Sequence, residues 1–481
     1  LYDRTESGGE EAPTVSEHRI EKDTLGEVRV PADALFGAQT QRARENFQIS
    51  GLPPQPDYVW GMVMIKKAAA LANMDTGRLD EEIGRAIVSA ADEALEGKLN
   101  EHFVIDPWQA GAGTSHNMNA NEVLANRASE LLGGRRGVDR KVHPNDHVNL
   151  AQSSNDTNPT AVRLGALRVV PGLIEALDGL RNALDSKARE FDGIVKSSRT
   201  HLQDAVPIRL GQEFSGYADA IGKAIERVRD AARTLEELNI GGTAAGTGIN
   251  AEPAYIDAIV KHLREMTGFD VRRGENFFRL TQSGGDMAHL SSAVRNSAVE
   301  ISRIASDLRL LSSGPRTGIA EIVLPPVQPG SSIMPGKVNP SMAEMMNMVC
   351  FQVIGFDEVC SLAAQGGQLD LNVFWPSFAF NLLFGMTILR NGVNAFTERC
   401  VKGIEADQER AAELMEQSLM LCTALTDYIG YEEAAGLAKQ AFAERKTIRE
   451  VALENDVMSE DQLDKVLDPT PMTEPGVPGR A

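Results

Sequence analysis

The strongest pattern lies in the middle of the chain. From Gln212 to Leu238 apolar residues recur at Phe214, Tyr217, Ile221, Ile225, Val228, Ala232, Leu235 and Leu238. Spacings of three and four keep one helix face apolar and mark the seam of a long bundle helix. At ~1.5 Å per residue that helix is roughly 40 Å long. A second seam covers residues 290–311 through Leu290, Val294, Ile301, Leu308 and Leu311. A third starts at Ser341 with Met342, Met346, Val349, Val353 and Cys360. Its methionines read as core rather than as a binding surface, because Met fills gaps between helices. Periodicity also covers Val59–Lys98, and shorter helices follow from about Ala406 to a Pro/Gly-rich end. Helices this long outrun what a small domain covers, so part of their apolar surface is expected to meet other chains. Elsewhere the pattern breaks. Residues 1–17 read as a disordered acidic tail and Asp23–Glu45 as a mixed stretch rich in turns. Polar loops are expected at Pro107–Asn121 and His143–Pro159.

Composition narrows the function. A chain of 481 residues is long enough for a large core and, as a soft prior, about three domains. Its net charge of −20, from 68 acidic and 48 basic residues, argues against a nucleic-acid partner. Any anion site must then be a local exception, built from placed Lys, Arg and backbone N–H groups. The four cysteines (Cys350, Cys360, Cys400, Cys422) form no CxxC, which predicts buried reduced thiols and a cytoplasmic setting. No uninterrupted apolar run approaches the ~18 residues of a membrane span, so no membrane partner is expected. The polar start shows no signal peptide, and the opening at Leu1 suggests a trimmed or alternatively started chain.

The candidate chemistry is concentrated in Gly330–Pro340, GSSIMPGKVNP. Two serines, a lysine and an asparagine stand among glycines and prolines, so the segment reads as a shaped loop rather than a helix or strand. A loop dense in hydroxyl, amide and ammonium donors suits an anionic small molecule. Three further segments put polar residues between helices: GAGTSHNMN (Gly111–Asn119), HVNLAQSSND (His147–Asp156) and SSRTHLQDAVP (Ser197–Pro207). GGTAAGTGIN (Gly241–Asn250) follows a predicted helix and lacks the GxGxxG register, which excludes a dinucleotide loop. His143 and His147 have metal-ligand spacing, but the Glu of HExxH is missing and Pro144 interrupts the helix, so no metal site is assigned. There is no GxSxG hydrolase elbow.

These segments resemble the aspartase/fumarase superfamily, whose signature loop has the form GSSIMPGKVNP. The resemblance runs from about Arg19 to the C-terminus and includes THLQDAVP and GGTAAGTGIN. It implies a mostly α protomer of three domains, here 18–148, 149–405 and 406–481. It also implies a homotetramer with a twenty-helix core, active sites shared between subunits, a small dicarboxylate substrate and no cofactor. By resemblance Ser331 is the base, acting as an alkoxide favoured by loop N–H groups and Lys337. Lys337 and Asn339 hold a carboxylate; Thr114, Ser115, Ser153, Ser154, Asn155 and Ser332 hold the rest of the substrate. Thr200 and His201 come from another subunit, and Glu344 is the carboxylate that pairs with the histidine.

The substrate markers divide. GAGTS resembles aspartases, since fumarases usually carry serine at the Ala112 position. GIAEI (Gly318–Ile322), GGQLDLNV (Gly366–Val373) and MTEPG (Met472–Gly476) lean the same way. RKVHPND resembles the accessory dicarboxylate site of fumarases, through Arg140, His143, Asn145 and Asp146. QSSND and GAQTQR (Gly37–Arg42) are fumarase-like too, and His116 departs from both patterns. Ala112 is expected nearer the substrate than Arg140, which favours ammonia elimination from L-aspartate; hydration of fumarate is the alternative. The remaining alternative is a non-catalytic structural relative, which has no need of Ser331, Lys337, Asn339, Thr200, His201 and Glu344 together.

Overall fold

The computed structural model describes residues 18–479, and the tail expected at residues 1–17 lies outside the described residues. The fold is mostly α, as expected. A hairpin of β1 (His18–Asp23) and β2 (Gly26–Pro31) opens the described chain. Helices α1 (Ala38–Asn46), α2 (Pro56–Asp75), α3 (Glu81–Leu95), α4 (Thr114–Leu131) and α5 (Ser154–Glu190) follow. The antiparallel hairpin of β3 (Val195–Thr200) and β4 (Gln203–Arg209) leads into α6 (Leu210–Arg233). Strand β5 (Glu237–Leu238) pairs in parallel with β6 (Arg272–Arg273), with α7 (Pro253–Thr267) between them. Next come α8 (Phe277–Gln282), α9 (Gly285–Leu311), β7 (Ile322–Val323), α10 (Ser341–Gln365), α11 (Trp375–Arg399) and β8 (Glu405–Ala406), the last pairing with β7. Short helices α12 (Gln408–Gln417), α13 (Thr426–Ile429), α14 (Tyr431–Glu444), α15 (Ile448–Glu454) and α16 (Glu460–Val466) end the chain.

The chain divides into two compact units. One comprises the chain up to Val169 with Ala231–Ser291 and Asp357–Phe384; the other comprises Val170–Asp230, Ser292–Phe356 and the chain from Gly385. In the first, Ile65 of α2, Ile87 of α3, Leu124 of α4 and Ile259 of α7 are fully buried. In the second, Met415, Leu425, Leu437, Val451 and Leu463 of the short C-terminal helices form one cluster, against which Val195 packs.

The first two seams are where their periodicity puts them, whereas on the third Met346, Val353 and Cys360 are buried and Met342 and Val349 only half-buried. Phe214, Tyr217, Ile221, Ile225, Val228, Ala232, Leu235 and Leu238 are all buried. The α-helix itself stops at Arg233, however, and the last two positions are buried from a 3-10 turn and from β5. The periodic stretch Val59–Lys98 is two helices. Gly77 turns the chain at φ +70°, and the Asp80 carboxylate starts α3 by accepting the N–H groups of Glu82 and Ile83. The four cysteines are free thiols, buried as expected. Among the described residues one helix, Ser341–Gln365, is long and apolar enough on average to cross a membrane, although it holds no uninterrupted apolar run of that length. It also holds the buried Asp357 carboxylate, which accepts a hydrogen bond from Ser291 at 2.6 Å.

Candidate functional site

Two of the segments expected as loops are helix starts. In GAGTSHNMN, Ala112 (φ +57°) and Gly113 (φ +70°) both take left-handed backbone, and α4 begins directly at Thr114. A Cβ on Gly113 would strike the Asn158 side chain of α5, so only glycine lets this turn close. Thr114 is left exposed with its Oγ1 3.4 Å from Ser154 Oγ, while Ser115 is buried. In HVNLAQSSND, Ser153 caps α5: its Oγ accepts the Asn155 N–H at 3.2 Å, and its own N–H goes to Asp156 Oδ1 at 2.9 Å. The Asn155 amide donates to the Ala244 carbonyl at 2.7 Å. Pro159 lies inside α5 and has no N–H for the Asn155 carbonyl; the Asn239 amide donates to that oxygen instead, at 3.3 Å. Thr114, Ser153, Ser154 and Asn155 are therefore brought together at two adjoining helix N-termini, where partial positive charge favours an anion.

Beneath them lies a polar core. The Asp156 carboxylate accepts N–H groups from Gly241 and Thr243, both at 3.0 Å, which fastens the GGTAAGTGIN loop to α5. That loop follows β5, not a helix. Burial raises the Asp156 pKa to about 6 against the pull of those N–H groups and of Lys66. Lys66 is wholly buried, and its Nζ reaches Asn117 Oδ1 at 2.7 Å, Asn149 Oδ1 at 3.0 Å and Gln152 Oε1 at 2.9 Å. Desolvation lowers its pKa to about 7, opposed by Asp156. His116 is buried and stacked on Tyr58 with ring centroids 4.0 Å apart. Desolvation holds its pKa near 3, so the imidazole is neutral. Tyr58 in turn donates to Asn158.

Thr200, His201, Ser331, Ser332, Lys337, Asn339 and Glu344 lie in the second unit. THLQ is the tip of the β3–β4 hairpin. His201 (φ +57°) and Leu202 (φ +58°) form a two-residue turn with both positions left-handed, a geometry normally given to Asn-Gly. The His201 side chain is exposed and makes no hydrogen bond or ion pair within the chain among the described residues. Glu321 of GIAEI is fully buried and holds the base of the hairpin, with Lys196 at 3.0 Å and Arg199 at 2.9 Å; Lys196 also meets Glu213 at 2.9 Å.

GSSIMPGKVNP is a closed loop, as its prolines and glycines predict. Gly330 N–H donates to the Lys337 carbonyl at 2.8 Å, and the Asn339 amide donates to the Gly330 carbonyl at 2.7 Å. A Cβ on Gly330 would lie 2.5 Å from the Lys337 oxygen. Ser331 Oγ accepts two backbone N–H groups, from Ile333 at 3.2 Å and Met334 at 2.9 Å. Ser332 and Lys337 are exposed, and Glu344 is half-buried in the first turn of α10.

The residues of RKVHPND are engaged within the chain. Arg140 pairs with the buried Glu21 at 3.1 Å. His143 Nδ1 accepts the Asn145 and Asp146 N–H groups at 3.3 and 3.1 Å. Among the described residues no group of three His, Cys, Asp or Glu side chains could hold a metal ion.

Lys66, Asp156 and Glu321 were not singled out from the sequence. The available signal for Lys66 was its position on an apolar helix face, between Met62 and Ala69 and next to Ile65, all buried.

A lyase family profile matches residues 26–355, and a profile of the fumarase C C-terminus matches residues 421–474. The chain is 47% identical to the aspartate ammonia-lyase of Bacillus subtilis (strain 168), over 96% of this chain and 98% of that protein. It is 45% identical to a class II fumarate hydratase of Bradyrhizobium diazoefficiens, over 95% of this chain and 97% of that one. The crystal structure of class II fumarase from Schistosoma mansoni superposes with a TM-score of 0.93 at 38% identity, covering 95% of this chain and 100% of that chain.

Proposed function

The chain belongs to the aspartase/fumarase superfamily of lyases, and on that footing we propose that it eliminates ammonia from L-aspartate to give fumarate. Relatives with either activity match at similar identity, so the choice rests on residues near the site.

The reaction starts by removing a proton from the carbon beside a carboxylate. Ser331 is the base in this reading. A free serine is far too weak an acid to ionise, and the Ile333 and Met334 N–H groups aimed at its Oγ are the kind of fixed dipoles that favour the alkoxide. Lys337 adds positive charge, and it stabilises the extra negative charge of the aci-carboxylate that forms. The electrons of the aci-carboxylate then form the C=C bond of fumarate, and the Cα–N bond of the substrate ammonium breaks with its electron pair going to nitrogen, so that neutral ammonia leaves. Thr114, Ser154 and Asn155 grip the substrate. An ammonium leaves without further protonation, whereas hydroxide needs a general acid and an ordered water. The observation that carries the choice is Ala112, a methyl at the turn delivering Thr114, where fumarases usually place a hydroxyl.

Hydration of fumarate is the second reading, favoured by QSSND and GAQTQR. Purified protein is incubated with L-aspartate and with L-malate at neutral to slightly alkaline pH. Fumarate is followed by its ultraviolet absorbance and ammonia is measured separately. Fumarate and ammonia from L-aspartate, with little from L-malate, is the expected result. Rapid fumarate formation from L-malate alone overturns it.

The same reading makes the protein a cytoplasmic homotetramer. An unburied stripe on α10, with Met348 63%, Phe351 62% and Leu362 57% exposed, supports association through a helix seam.

A further inference from the structure

We infer that Lys66 is a positioning residue for substrate binding, pinning together the two helix starts that carry Thr114 and Ser153–Asn155. This rests on the reading that those residues face the substrate.

The geometry is specific. An ammonium has three N–H donors and no acceptor, and Lys66 spends all three on amide oxygens. Asn117 lies one turn after Thr114 on α4. Gln152 immediately precedes Ser153, and Asn149 begins the turn that leads to it. The Asn117 and Asn121 amides also donate to Asn149 Oδ1, both at 3.2 Å. Asn149 donates in turn to the Gln152 carbonyl at 3.2 Å. The 149–152 turn includes Ala151 at φ +62°, an unfavoured conformation that needs such outside support. One buried side chain therefore fixes the spacing between Thr114 and Ser154 from below.

A purely structural lysine and a positioning one differ in what their loss changes. Loss of a structural lysine lowers stability and leaves the folded fraction binding normally. Loss of a positioning lysine weakens binding in molecules that remain folded. Lys66→Met keeps the stem and removes the charge. The probe is succinate, a saturated four-carbon dicarboxylate resembling the product of either candidate reaction, so binding can be measured whichever substrate is turned over. Calorimetry on folded Lys66→Met, with circular dichroism as the fold control, should show succinate Kd raised tenfold or more. With the true substrate, kcat/KM should fall mainly through KM, because the Ser331 loop is not part of this network. If Lys66→Met does not fold, Gln152→Leu removes one of the three oxygens at a less buried position and should raise Kd at least threefold. A folded Lys66→Met, or failing that a folded Gln152→Leu, with succinate Kd within twofold of wild type overturns the inference. If malate proves to be the substrate, the proposed function fails while this test still reads on Lys66.

Discussion

At the scale of single residues, two side chains show opposite uses of burial. Ser331 is partly open, and its hydroxyl is surrounded by N–H donors rather than by a base. Ser331→Ala should therefore abolish turnover without unfolding the protein, since the loop hydroxyl supports no core. A thousandfold loss in kcat corresponds to about 4 kcal/mol of barrier. Retention of a tenth of wild-type rate, with unchanged thermal unfolding, removes Ser331 as base. His116 shows the cost of burying a titratable group. Its pKa is about 3 in the fold and about 6.5 in an unfolded chain, because burial disfavours the imidazolium. Nearby Lys66 adds to that depression, and the Tyr58 carbonyl opposes it. Between those values the unfolded chain binds the extra proton, so stability is lost as pH falls from about 6.5. His116→Phe keeps the stack on Tyr58 and removes the titration. Urea midpoints at pH 7 and pH 5 should then differ less than in wild type; an equal drop in both proteins refutes the assignment.

Among elements, the seams were legible because burial on one helix face imposes a period of 3.6, and every apolar residue named on α6 is buried. The ends of elements were not. Arg233 ends α6 although the period continues to Leu238, because a 3-10 turn and a strand can bury the same positions. The polar segments were misread as loops for a related reason. Asn117, Asn119 and Asn121 are buried on α4 and bond to Lys66, Val104, His102 and Asn149, with only Asn121 Oδ1 left without a partner among the described residues, so polarity there reports a hydrogen-bonded core rather than solvent. The candidate residues Thr114, Ser331 and His201 could be named from motifs, but what holds them comes from distant chain: Gly241 for Asp156, Glu321 for the hairpin. That support yields a prediction. Glu321 is fully buried between Lys196 and Arg199 of β3, the strand that leads into the His201 turn. Glu321→Gln leaves the buried Lys196 with Glu213 alone, and breaking a buried pair costs about 3 kcal/mol or more. Thermal melts should show the loss. Because β3 leads into the turn that carries His201, kcat/KM should also fall in the folded enzyme. A Glu321→Gln protein with wild-type melting and wild-type kcat/KM dismisses this role.

For the whole molecule, the open question is where one site gets its parts. His201 projects from a strained hairpin tip beside Leu202, itself 71% exposed, and finds no partner within the chain among the described residues. Exposed apolar and imidazole groups held in costly backbone geometry suit contact with another copy. The stripe on α10 offers a seam for such contact. If a site takes His201 from one chain and Lys337 from another, two inactive variants can complement each other. His201→Ala and Lys337→Ala are each expected to be inactive alone. If the protein is a tetramer, chains unfolded together in equal amounts and refolded should form mixed tetramers at random. Half the sites then receive an intact His201, and half of those also receive an intact Lys337 from a different chain. About a quarter of wild-type activity should return. If both residues of a site came from one chain, every site would carry one lesion and mixing would restore nothing. Light scattering on the same samples should give four times the 52.0 kDa chain mass. A tetramer with no recovered activity rejects shared sites while keeping the assembly, and a monomer rejects both.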